Sequence, residues 1–126
     1  MSNSESSAVL TAKELRDLVI SSLEDLKAID INIIDVSGQS PLTDAFVVAS
    51  GNSNRHVKSI ADKVVTRAKE QGCQPLGIEG YNPGEWVLVD LNDVIVHIML
   101  PQTRAFYNIE KLWEVTETHR NSASAT

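Results

Sequence analysis

One cysteine in 126 residues, Cys73, leaves no room for an internal disulfide, and nothing around it marks a reactive thiol. No apolar run approaches the ~20 residues that a bilayer-crossing helix needs. The opening stretch, "MSNSESSAVLTAKEL", carries no basic region, no apolar signal core and no arginine before Arg16, against secretory or organellar targeting. These absences point to a cytoplasmic protein without membrane contact. Positive charge is also short: 11 Lys and Arg face 17 Asp and Glu, for a net charge of −6. The basic residues are scattered, whereas sequence-independent binding to DNA or RNA needs them clustered to displace counterions from phosphates. A basic protein partner suits this surface better than naked nucleic acid. Aromatic residues make up only 5% of the chain.

What is present reads as one α/β domain. The hydrophobic and charged fractions, 42% and 22%, are ordinary for a globular protein, and the length suits a single core. Thr11-Ala12-Lys13-Glu14 is a capping box, and Leu15, Leu18, Val19, Ser22, Leu23 and Leu26 follow at helical spacing, which predicts a helix from about Ala12 to Ala28. "DINIIDV" (Asp30 to Val36) and "AFVVAS" (Ala45 to Ser50) read as strands. A second helix places Val57, Ile60, Ala61, Val64, Val65 and Ala68 on one stripe and stops at Gly72. "PLGIEG" is a short strand, and "WVLVDLNDVIVHIML" a hairpin. Pro101 suits the first turn of a last helix, with Phe106, Ile109, Leu112 and Trp113 on one face. The order is α-β-β-α-β-β-β-α, with a mixed five-stranded sheet. The domain is expected over residues 10–117, and the small, polar residues 1–9 and 118–126 as flexible tails.

The hairpin poses the functional question. A two-residue loop at Asn92-Asp93 pairs Val89 with Val96 and Trp86 with Met99. Paired residues share a face. One face then holds Val87, Val89, Leu91, Val94, Val96 and Ile98, an aliphatic surface suited to lying under helices. The other holds Trp86, Leu88, Asp90, Ile95, His97 and Met99. Three helices do not easily cover both faces of five strands, so part of this second face is expected to be open, and an exposed apolar patch usually marks an interaction site.

The alternatives are chemical. "SGNSNRH", Ser50 to His56, is a strand–glycine–helix junction whose backbone N–H groups could attract an anion. It matches neither the P-loop nor the dinucleotide fingerprint. The plainer reading is that Gly51 makes a tight turn, or packs closely, and Ser53 or Asn54 caps the helix. Nucleotidyl transfer would add paired carboxylates on a neighbouring strand to hold metal ions, but Glu79, Glu85 and Asp90 stand alone. His56, His97 and His119 lack metal-ligand spacing. No catalytic, cofactor or metal residue is assigned; the alternative reading is an enzyme acting on a nucleotide or RNA through the Ser50–His56 loop.

Five segments, "KAIDINIIDV", "TDAFVVASGNSNRHVKSIAD", "PLGIEG", "GEWVLVDLNDVIVHIM" and "RAFYNIEKLW", together resemble the Iojap family of ribosomal silencing factors in order and spacing. The resemblance runs from about Leu15 to Trp113. It implies a nucleotidyltransferase-like fold without catalytic carboxylates. It also implies binding to the large ribosomal subunit through its protein L-fourteen, which blocks joining of the small subunit and represses translation when nutrients are short. Organellar relatives are linked to assembly of the large subunit. Carried over by position, the partner-binding residues are Trp86, His97 and Tyr107, with Asp90 and Met99 beside them. A homodimer through the same face is a further possibility. The chain departs from the family's usual pattern at Ala45, Asn52 and Pro101-Gln102.

Overall fold

The computed structural model describes residues 10–41 and 43–112; the predicted tails and Trp113 lie outside the described residues. Helix α1 spans Ala12–Asp25, strand β1 Ile29–Asp35, β2 Ala45–Ser50, helix α2 Asn54–Glu70, β3 Gly77–Glu79, β4 Trp86–Asp90, β5 Val94–Met99 and helix α3 Pro101–Tyr107. The strands form one mixed sheet in the order β1-β2-β5-β4-β3. Only β2 and β5 run parallel; the other neighbours are antiparallel. The expected α/β class, with a five-stranded mixed sheet and three helices, is borne out.

Local signals set most boundaries. Both halves of the Thr11–Glu14 capping box form, satisfying helix-start N–H groups at about 1 kcal/mol for the cap. Helix α1 ends three residues before the expected Ala28, because Lys27 takes a left-handed φ of 59° and turns the chain into β1. Helix α2 starts on Ser53, whose hydroxyl accepts from the His56 N–H, and Gly72 follows its end at φ 81°.

The hairpin register is as read from the loop: Trp86 pairs with Met99, Val87 with Ile98, Leu88 with His97 and Val89 with Val96. Val87, Val89, Leu91, Val94, Val96 and Ile98 are all buried and meet Leu15, Val19, Leu23, Ile60, Ala61 and Val64 of α1 and α2. Parallel pairing adds Val47 and Ala49 of β2 to the same layer, opposite Val96 and Ile98. The main core is therefore two helices on one sheet face, and α1 and α2 leave the second face free.

The last helix differs from expectation. Asn108 adopts φ 47° and closes α3 after seven residues; the helical turn at 109–112 then runs as a separate arm. The break rotates Phe106 out of any common stripe, and it is 79% exposed.

Candidate functional site

The second sheet face carries Ile34 of β1, Phe46 and Val48 of β2, Ile95 and His97 of β5, and Leu88 of β4. With Ile109 and Leu112 of the arm, these line an apolar groove of about 240 Å³. The chain thus covers part of this face itself, through α3 and the arm, and leaves a groove rather than a bare sheet.

A row of rings borders the groove. Phe46 meets His97 edge-on at 5.6 Å, His97 lies 5.9 Å from Trp86, Trp86 lies 5.0 Å from Tyr107, and Tyr107 meets Phe106 edge-on at 4.9 Å. Four of the chain's six Phe, Tyr and Trp residues stand in this one row. It begins in the sheet and ends in solvent, where Tyr107 and Phe106 are 55% and 79% exposed. Such offset and edge-to-face contacts hold rings in place at modest gain, so the exposed end is presented rather than loose.

The five sequence-assigned residues divide. Trp86, His97 and Tyr107 come together. The Trp86 indole N–H donates to His97 Nδ1 at 3.0 Å, and burial pushes the imidazole pKa down to about 4. Met99 sits beside Trp86 in register but is fully buried, so it supports the site from beneath and presents nothing to a partner. Asp90 stands four residues from Trp86, roughly 13 Å along the strand. Its carboxylate accepts the Asn92 N–H at 2.9 Å and stabilises the hairpin turn. The face is open only in part, as expected, and Met99 and His97 fall in the covered part.

Phe46, Arg104 and Glu110 are additions. Phe46 reaches the row only because β2 pairs parallel with β5, a long-range pairing that strand alternation does not reveal. Arg104 and Glu110 form an ion pair at 2.7 Å across the Asn108 break, which a continuous-helix reading separates. Hydrogen bonds from Arg104 and Asn32 outweigh burial and hold the Glu110 carboxyl below its usual range.

The Ser50–His56 loop is occupied with its own backbone. His56 Nδ1 accepts the Asn52 N–H at 2.8 Å; the ring proton is then on Nε2, which donates to the Leu26 carbonyl at 2.7 Å. Ser53 caps α2, and Ser50 Oγ accepts from Arg104. Among the described residues, no group of three or more His, Cys, Asp or Glu is placed to hold a metal ion, and no helix is long and apolar enough to cross a membrane.

Comparison with known proteins gives this surface a context. The sequence model of the family RsfS, "Ribosomal silencing factor during starvation", matches residues 9–125. A ribosomal silencing factor from Chromobacterium violaceum is 48% identical over 80% of this chain and 83% of its own length. A mouse protein named for mitochondrial assembly of the ribosomal large subunit is 37% identical over 77% of this chain and 44% of its own. A crystal structure of a Chromobacterium violaceum protein superposes with a TM-score of 0.82 at 46% identity, covering 83% of this chain and 88% of that one. One from Bacillus halodurans gives 0.74 at 40% identity, covering 80% and 94%. The chain therefore belongs to the RsfS family of ribosomal silencing factors.

Proposed function

We propose that this chain is a non-enzymatic steric inhibitor. It binds the large ribosomal subunit through protein L-fourteen and blocks joining of the small subunit, which represses translation under nutrient limitation in the cytoplasm. Family membership supports the ribosome as the target. The observation that supports the binding surface is the aromatic row from Phe46 to Phe106, which borders an apolar groove on the one sheet face that α1 and α2 leave free. Trp86 is the anchor of this surface, and Tyr107 and Phe106 are its exposed end; aromatic residues at the desolvated centre of an interface dominate its energetics. The net charge of −6 favours encounter with a basic ribosomal protein.

A nucleotidyltransferase-like ancestry of the fold belongs to the same reading, with the catalytic carboxylates absent and the Ser50–His56 loop kept as structure. The test is sucrose-gradient sedimentation of separated subunits with and without the protein. Comigration with the large subunit and loss of the joined ribosome are the expected results. Comigration without loss of joining points instead to a role in subunit assembly, and no comigration overturns the proposal.

A further inference from the structure

Helix α3 has seven residues, buries none of them and has no side-chain cap at its start. A helix this short is marginal by itself. The arm after it is only partly packed, with Ile109 half-buried on the groove and Leu112 68% exposed. Yet Tyr107, Ile109 and Leu112 form one end of the aromatic row and one wall of the groove. Something polar must hold them.

That something is Arg104. Its Nε and Nη2 grip the two Glu110 oxygens at 2.7 and 3.0 Å, a two-point fork. Nη1 donates to Ser50 Oγ at 3.0 Å and to the Ile29 carbonyl at 3.4 Å, and Nη2 to the Asp30 carbonyl at 2.8 Å. The two carbonyls come from a bulge in β1, where register shifts between Ile29 and Asn32 and Asp30 takes φ 52°. From the same strand Asn32 Nδ2 donates to Glu110 Oε2 at 2.7 Å. The ion pair spans the Asn108 turn, so it fixes both the helix and the arm to the sheet.

We infer that Arg104 is a positioning residue for the partner surface: with Glu110 it holds residues 107–112 on the bulged edge of the sheet, so that Tyr107 stands on Trp86 and the groove has its wall before a partner arrives. This rests on the proposed role of that surface in binding. Preorganisation of this kind raises affinity by removing the ordering cost from the binding step. Lysine cannot replace the residue, since an ammonium lacks the planar fork that reaches a carboxylate and two strand carbonyls together.

The test uses the full chain with Arg104→Lys and, as a second variant, Glu110→Gln. In the free protein, the nuclear Overhauser contact between the Tyr107 and Trp86 rings should be lost in both. Both should still fold, because the α1–α2 core is untouched, with a melting temperature lowered by the lost ion pair. Affinity for isolated large subunits should fall about tenfold. Leu112→Ala should weaken binding in the parent but add little on top of Arg104→Lys, because the arm is already displaced. Retention of the ring contact in both variants overturns the inference, as does its loss without any fall in affinity, or full additivity with Leu112→Ala. If the parent itself fails to bind large subunits, the proposed function falls, and the ring contact alone still decides whether Arg104 positions the arm.

Discussion

Trp86 and His97 are bonded diagonally across the β4–β5 ladder: Trp86 pairs with Met99 and His97 with Leu88, yet the indole N–H reaches His97 Nδ1 at 3.0 Å. An accepting Nδ1 requires the neutral Nε2–H tautomer. Protonating the ring would place a second N–H against the indole N–H in a site closed by Phe46 and Trp86. Burial pushes the folded-state pKa from 6.5 to about 4.

The first prediction follows from that shift. Above pH 6.5 the ring is neutral in both folded and unfolded chains and contributes no pH dependence. Between 6.5 and 4 the unfolded chain takes up a proton that the folded chain refuses, so stability declines as pH falls. The loss levels off below about pH 4, at on the order of 3 kcal/mol. Glu110, held below its usual value of 4.5 by Arg104, loses its contribution only as pH falls below that value, so the two windows separate. Chemical denaturation between pH 7 and 4.5 checks this, with His97→Gln as the variant whose stability should stay flat over that range.

A second prediction concerns Gly51. Close packing is the reason for glycine here: Gly51 is absent from the left-handed residues, and a Cβ there would lie 2.9 Å from both Val57 Cγ2 and Val57 N. Val57 is fully buried and its N–H bonds to Ser53, so neither atom can yield cheaply. Gly51→Val should cost about 3 kcal/mol or more through overpacking. Even Gly51→Ala should lower the melting temperature. Equal stability of Gly51→Val and parent would show that the junction has room to spare.

The loop gives a third. Ser53→Ala removes the cap of α2 and should cost about 1 kcal/mol of stability. His56→Ala removes the brace between Asn52 and Leu26 and should cost a similar ~1 kcal/mol for the lost pair of hydrogen bonds. Neither should change affinity for large subunits, measured by cosedimentation at a temperature where both variants are folded. Metal-dependent turnover of a nucleoside triphosphate by the pure protein, abolished by either change, would instead establish the loop as an active site.

What the sequence made legible follows the range of the interactions. The capping box at Thr11, the stripe of α2 and the Asn92-Asp93 loop each depend on residues a few positions apart, and each forms. The aliphatic hairpin face is likewise local, since one register decides all six residues. Phe46 was out of reach because the β2–β5 pairing spans an intervening helix and two strands. Arg104 was out of reach for a different reason. Its partners are two carbonyls exposed by a bulge at Asp30 and a carboxylate beyond a left-handed Asn108, and neither backbone irregularity leaves a pattern in side-chain hydropathy. Met99 lies on the second face as parity says but is not exposed there, because parity does not say which part of a face the rest of the chain will cover.

The last prediction separates the two faces of the hairpin. Trp86 is half-buried, bonded to His97 and packed at a tilt against Tyr107, so Trp86→Ala removes apolar contacts and also leaves His97 Nδ1 without its donor. That should cost the fold roughly 2–3 kcal/mol, more than a free surface tryptophan and less than the 3–5 kcal/mol of a fully buried one. Trp86→Phe keeps a ring beside Tyr107 but not the donor, and should cost the fold about 1 kcal/mol. As the anchor of the partner surface, Trp86→Ala should also weaken binding to large subunits by ~2 kcal/mol, about thirty-fold, and Trp86→Phe by much less. Val96→Ala is the counterpart: fully buried under the helices, it should lose about 2 kcal/mol of stability while its folded fraction binds as the parent does. Thermal melts beside cosedimentation with isolated large subunits give both quantities for each variant. Parent-like binding by Trp86→Ala would remove the aromatic row from the interface, and weakened binding by folded Val96→Ala would show that the two sheet faces are not independent.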